Sequence, residues 1–410
     1  MPELLAPAGN EDCLAAAIKA GADAVYFGIK GFNMRSLGKR NFELEDLKRI
    51  VGICHKSKVK AYLTVNIIVY DEEMKQLDLI LKTAKKAKID AIIASDLSVI
   101  QKAHELKLPI HISTQASVSN YEAVKFFSRY AENVVLAREL TLDQVKHIKE
   151  SIKKDKLKGV SGKLILIECF CHGAMCISVS GRCFMSQNTY GKSANRGECL
   201  QNCRRGYKIT DIETNKELEV DNQYVMSPND LCTLEFLDKL VEAGIDIFKI
   251  EGRGRPADYV YTVTKAYKDA LIAIKDKKYT DKVKKELLKK VKTVYNRGFS
   301  DGFYMGKPLE QWSGKYGSKA TEQREYLGVV THYYPKNKVA EIKLETNDIS
   351  QGDEIAFTGP TTGFFRQKAV ELQINHKKIA KAKQGQKIAI KVKERVREND
   401  KFFVIKEKAL

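Results

Sequence analysis

Several absences narrow what this chain can be before any motif is read. No basic leader with an apolar core opens the sequence, which starts MPELLAPAGN, and no apolar stretch is long enough to cross a bilayer, so a cytoplasmic protein is expected. There is no G-x-S-x-G elbow and no H-E-x-x-H helix, which excludes the commonest serine and zinc peptidase arrangements. No two cysteines stand in the C-x2-C knuckle that zinc ribbons prefer. Acidic residues are in deficit, 52 against 71 Lys and Arg, giving a net charge of +19 and a pI near 9.3. That surplus points to a polyanionic partner, nucleic acid first. A single run such as KDKKYTDKVKKELLKKVK at 275–292 reads by itself as a solvated helix face over a stripe of Val283, Leu287 and Val291.

What is present is a chain of 410 residues, 43% hydrophobic, enough for one large core and a second small domain. Up to about residue 255 one local grammar recurs, in which an amphipathic helix ends at a small or turn residue and an apolar strand begins after an Asp. KAGADAVYFG, KAKIDAIIASD and EAGIDIFKIEG are examples, with Gly21 and Gly244 suited to end helices in the left-handed conformation. Asn10 is placed to cap the first helix, and Thr141 with Gln144 forms a capping box. Eight strands are expected at 3–8, 24–28, 60–66, 91–96, 110–114, 133–138, 163–168 and 246–251. A helical pattern follows each, so a (β/α)8 TIM-type barrel over residues 1–320 is the economical closure, with an open doubly wound sheet as the alternative. Residues 321–410 read as a small C-terminal β-barrel of short strands such as YLGVVTHY and KIAIKVK, whose lysines could hold a phosphate backbone.

In such a barrel the reactive groups lie at the C-terminal ends of the strands, here Asn10, Asn66, Asp96, Gln115, Arg138, Glu139, Glu168, Glu251 and Arg253. Any one of them alone reads as a loop or cap hydrogen bonder, but carboxylates clustered with arginines suit a small anionic substrate. Right after Glu168 an insertion of about 60 residues, 169–230, interrupts the pattern between strand and helix seven. It carries six of the nine cysteines within residues 169–203. Cys176, Cys183, Cys199 and Cys203 form C-x6-C-x15-C-x3-C, an all-thiolate set able to hold a 4Fe-4S cluster or a structural zinc, with disulfides or inert thiols as the remaining readings. Cys169 and Cys171 flank Phe170 and are expected on opposite sides of an extended chain. Cys232 is expected at the start of helix seven, as a rival fourth ligand to Cys203. Cys13 and Cys54 read as helix-face packing residues. Cys171 with His111 is a conceivable nucleophile and base, and His172 a loop hydrogen bonder beside the cysteine site.

The segment ECFCHGAMCISVSGRCFMS at 168–186 resembles the signature of the collagenase-like peptidase family U32. The resemblance extends through ELLAPAGN, GADAVYFG, HISTQASVSN, LARELTL, KIEGRGR and NRGFSDGFYMG, so nearly the whole chain is covered. It is nearest to the branch that hydroxylates the wobble uridine of tRNA to 5-hydroxyuridine. That branch implies prephenate as a required metabolite, tRNA as partner with a family paralogue possible, and an oxygen-sensitive 4Fe-4S cluster on Cys176, Cys183, Cys199 and Cys203. Cys169 and Cys171 stand where relatives have Val. On that reading the basic surface holds tRNA, and Arg138, Arg253 and Arg35 hold a dicarboxylate. Glu168 or Glu251 moves protons, and His172 stands beside the cluster. The alternatives are a U32-type protease and a non-catalytic RNA-binding protein with structural zinc.

Overall fold

The computed structural model describes residues 1–38, 41–218, 226–306, 311–314 and 316–408, so residues 219–225 of the cysteine-rich insertion lie outside it. All eight expected barrel strands are present: β1 (Glu3–Pro7), β2 (Ala24–Gly28), β3 (Lys60–Val65), β4 (Ala91–Ala94), β5 (Ile110–Ile112), β6 (Asn133–Val135), β7 (Leu166–Gly173) and the closing strand Ile247–Ile250. They are parallel and neighbour one another in sequence order, and the closing strand pairs with both β1 and β7. The sheet is therefore a closed cylinder, which rules out the open doubly wound alternative. Its strands are buried on both faces because helices cover the outside and side chains fill the inside, as parallel sheets require.

Local signals explain where the helices begin and end. The Asn10 side chain accepts from the Cys13 backbone N–H at 3.0 Å, and Thr141 and Gln144 form the expected reciprocal box. Gly21 and Gly244 follow their helices with φ of +90° and +83°. Cys13 and Cys54 are fully buried on helix faces.

Three expectations are corrected around β7. The strand does not stop at Glu168 but runs on to Gly173, so Glu168 lies inside the cylinder, fully buried, rather than at the mouth. The inserted segment Asp230–Cys232 is a short strand that pairs antiparallel with this extension, Cys232 opposite His172. Cys232 is accordingly a buried strand residue, not the start of a helix, and hydrogen bonds there bind it to the Tyr267 hydroxyl at 3.8 Å. Cys169 and Cys171 share one side of the chain, packed in the layer between strands and helices, because residues two apart on a strand project the same way. Phe170 between them joins a different cluster with Val135, Met175 and Leu231.

The C-terminal unit is an eight-stranded antiparallel sheet from Glu322 to Glu407 with its own core around Leu327, Ile342, Phe357 and Phe402. Among the described residues no backbone ladder joins its two end strands; the Gln367 side chain, on one end strand, reaches the Lys391 carbonyl at 2.8 Å, on a strand two places in from the other end. It docks on the first barrel helix, Glu11–Lys19, and on the helix Ala257–Lys275. Lys19 pairs with Glu394, Arg324 pairs with Asp258 at 2.8 Å, and Tyr261 packs against Phe364. Gly363 makes the close approach possible: its φ is +68°, and a Cβ there would lie 2.9 Å from the Ala16 backbone nitrogen. Gly363→Val should therefore destabilise the docked protein by about 1–3 kcal/mol, measured as a lower urea midpoint, because neither backbone has room to move aside.

Candidate active site

The strand ends converge on one cavity of about 190 Å³ at the barrel mouth. Of the expected mouth residues, Asn66, Gln115, Arg138, Glu251 and Arg253 line it. Asn10 and Asp96 are instead helix caps, Asp96 accepting from the Ser98 N–H at 2.9 Å, and Glu139 is exposed to solvent. Residues not expected from the sequence complete the lining, notably Tyr26, Thr64, Lys249 and Arg204.

The closing strand and the turn after it supply the charged wall. Lys249 lies under the cavity between the rings of Tyr26 and Phe170, 4.8 and 5.5 Å from their centroids. Its ammonium donates to Glu168 at 2.6 Å, and the other Glu168 oxygen meets Asn133 and, at 3.4 Å, His111. Burial alone would raise the Glu168 carboxyl, but Lys249 and His111 overcome it and hold the group down at about 2. Glu251 is likewise pushed up by burial and drawn down further, to about 2, chiefly by Arg35, whose guanidinium bonds it at 2.9 Å. Arg253 donates to the Thr64 hydroxyl at 2.7 Å, and burial lowers it to about 10. It fits only because position 28 is glycine: a Cβ there would lie 2.4 Å from the guanidinium. Arg138 donates to the Ala174 carbonyl at 2.9 Å and lies 4.6 Å from the centre of the Phe170 ring.

The balance of charge decides what this cavity can hold. Arg35, Arg138, Arg204, Lys249 and Arg253 face a cavity whose one lining carboxylate among the described residues is Glu251. Among the described residues neither Arg138 nor Arg253 has a carboxylate partner, and the Arg138 Nε is buried without a hydrogen bond. Buried guanidinium groups without counter-ions are costly, and an anionic ligand removes that cost by bidentate pairing.

Cys176, Cys183, Cys199 and Cys203 all line the same cavity, on the loops that close it from above. All nine cysteines are free thiols. The Met185 N–H donates to the Cys183 sulfur and the Gln201 N–H to the Cys199 sulfur, each at 3.4 Å and each from two residues downstream. Four cysteine sulfurs lining one cavity are a donor set of the kind that holds a 4Fe-4S cluster or a zinc ion. As the side chains stand, no three His, Cys, Asp or Glu among the described residues are gathered closely enough to hold a metal ion.

Three other residues are placed away from this chemistry. A bulge in β7 sets Phe170 opposite Lys249 but His172 opposite Ile250, which reverses the alternation and turns His172 outward. It packs against Tyr259, Tyr267 and Phe299, its Nδ1 is 3.3 Å from the Tyr267 hydroxyl, and burial lowers it to about 3, so it is a neutral strand residue hydrogen-bonded in the outer layer rather than in a loop beside the cysteines. Cys171 bonds the Lys249 carbonyl in the outer layer while His111 points inward to Glu168, so the two do not form a dyad. Period-two reading of the closing strand could have found Lys249, since 249, 251 and 253 share one parity.

The buried pair sets two expectations. Lys249→Met should cost about 3–5 kcal/mol in chemical denaturation by stranding the Glu168 carboxylate, and adding Glu168→Gln should recover much of that loss. A carboxyl held below its unfolded value of about 4.3 stabilises the fold fully above that pH. The advantage should fade as pH falls towards 2, and the pH slope of stability in that window should be shallower in Glu168→Gln.

Residues 9–314 match the model of peptidase family U32. The chain is 47% identical over 401 residues to a protein of Porphyromonas gingivalis named collagenase, covering 98% of this chain and 97% of that one. It is 34% identical over 368 residues to a tRNA hydroxylation protein of Bacillus subtilis, covering 88% and 84%. Over 276 residues it is 34% identical to an rRNA 5-hydroxycytidine synthase of Escherichia coli, covering 66% of this chain and 39% of that protein. With a match that spans the barrel, its mouth and the four-cysteine insertion, the chain belongs to peptidase family U32.

Proposed function

We propose that this protein is an RNA-hydroxylating enzyme that acts on the wobble uridine of tRNA to give 5-hydroxyuridine, in a reaction that requires a small dicarboxylate metabolite such as prephenate. One observation carries the reading: a single cavity combines four thiols with Arg138 and Arg253, which among the described residues have no carboxylate partner. The names of the tRNA- and rRNA-modifying relatives support RNA as the substrate class, and the charge of +19 suits it.

The chain's own groups divide the work. Arg138 and Arg253 grip the dicarboxylate, and Arg35 holds Glu251 ionised at the cavity edge as a hydrogen-bond and proton acceptor. Lys249 is the proton donor beneath the cavity, and Glu168, which reaches the cavity only through Lys249, holds that amine in place. The target pyrimidine enters by base flipping and lies against the rings of Phe170 and Tyr26. Cys176, Cys183, Cys199 and Cys203 would hold a 4Fe-4S cluster, which when bound supplies electron transfer.

The peptidase reading finds less support in the same cavity. No histidine lines it among the described residues, and burial pushes the Cys171 thiol far above its usual value, so no activated nucleophile stands beside a base.

Protein purified without oxygen should carry about four iron and four sulfide per chain, reduced in Cys176→Ser, Cys183→Ser, Cys199→Ser and Cys203→Ser but kept in Cys171→Ala. About one zinc without sulfide would establish the structural-zinc alternative instead. Mass spectrometry of tRNA nucleosides from a strain lacking the gene and any paralogue should show 5-hydroxyuridine lost; an unchanged pool would overturn the proposal. Arg138→Gln and Arg253→Gln should each lower kcat/KM for the dicarboxylate about 10- to 100-fold, the worth of a charge-assisted bidentate pair.

A further inference from the structure

The loops that place the four thiols over the cavity also carry a set of exposed side chains that neither the cavity nor the core uses. Phe184 follows Cys183 directly and is 65% exposed. The short helix Met185–Tyr190 ends in Tyr190, 44% exposed, whose ring lies 5.4 Å from the guanidinium of Arg205, two residues after Cys203. Arg205 donates to the Tyr190 hydroxyl, and Tyr207 and Tyr316 are within electrostatic range of its guanidinium; Tyr316 is 69% exposed. These pieces are tied to the thiol loops, since Ser186 accepts from the Leu200 N–H at 2.9 Å and the Tyr207 hydroxyl donates to the Asn202 carbonyl at 2.8 Å.

The local charge is one-sided. Between residues 182 and 208 six Lys and Arg side chains meet one acid, Glu198. Arg196 also lies over a tyrosine, Tyr70, at 4.4 Å, but Glu73 already holds its guanidinium. The contacts of Arg205 among the described residues are with phenols rather than carboxylates, so its charge remains open to an incoming phosphate. Large exposed rings beside a free guanidinium suit unstacked bases joined by phosphates; a duplex hides the base faces and offers the rings nothing to stack on.

We infer that Phe184, Tyr190, Arg205 and Tyr316 form a stacking platform for a single-stranded RNA loop, holding the nucleotides on either side of the one that enters the cavity. This rests on the RNA reading above and adds where the loop is gripped. Bases stack on Phe184 and on the Tyr190–Tyr316 group, and Arg205 takes a phosphate between them. Because the platform is built on the thiol loops, gripping the loop also places its target over the cavity.

The test is equilibrium binding of a fluorescein-labelled anticodon stem–loop transcript, with a duplex of the same stem as control, to anaerobically purified full-length protein. Phe184→Ala, Tyr190→Ala and Tyr316→Ala should each weaken loop binding about 5- to 100-fold, the range of one lost base stack, while Tyr190→Phe stays within about twofold. Arg205→Gln should weaken it and reduce the salt dependence by about one phosphate contact. Duplex binding should be unaffected by the aromatic substitutions. All four side chains are exposed, so unchanged thermal unfolding and iron content separate lost grip from lost fold. Wild-type protein that binds the loop, with aromatic variants that bind it equally well, would overturn the platform and leave the RNA reading standing. Wild-type protein that fails to bind the loop would overturn both. Equal loop affinity in the variants, together with a protein rather than RNA crosslinking to a photoreactive residue in place of Tyr316, would assign the face to a protein partner.

Discussion

Closure of the cylinder by Ile247–Ile250 is the constraint from which the rest of the molecule follows. That strand pairs with β1 on one side and β7 on the other, so the parallel ladder becomes continuous around the barrel only through it. Side-chain parity then makes the closing strand functional as well as structural. Lys249, Glu251 and Arg253 project to one side, into the space that closure has just enclosed, and their charges must be answered there. Glu168 answers Lys249 and Arg35 answers Glu251, leaving Arg253 with a hydroxyl alone.

The inserted segment depends on the same closure. The extension of β7 past the barrel rim gives Asp230–Cys232 a partner strand, and Gly173 at its end passes so near the closing strand that a Cβ would lie 2.5 Å from the Glu251 carbonyl. Anchored at both ends, the loops that carry the thiols arch over the mouth, which brings Cys176 and Cys203, 26 intervening residues apart, to one cavity. A cationic floor thus lies under a roof of thiols, and the two sets of groups face each other across one enclosed space.

Family membership and chemistry are separate statements here. Relatives that match along most of the chain are named for collagen cleavage and for RNA hydroxylation, so the family alone does not choose between them. The choice rests on particular side chains: inward His111 is engaged with Glu168, Cys171 is sealed behind the strands, and Arg138 and Arg253 wait without counter-ions.

The sequence by itself determined the eight strands, the helix caps and the two-domain division, because those follow from local periodicity and from residues that act on their near neighbours. Arg35, Arg138, Glu251, Arg253 and the four cysteines, singled out from the sequence, line one cavity. The depth of Glu168, the outward turn of His172 and the strand placement of Cys232 were decided only by tertiary structure. A bulge and an antiparallel partner contributed from some 60 residues away set those three, and no local pattern encodes a pairing between distant segments. Lys249 lies between the two cases: its parity was written in the strand, but its role needed Glu168 brought from β7 to within 2.6 Å.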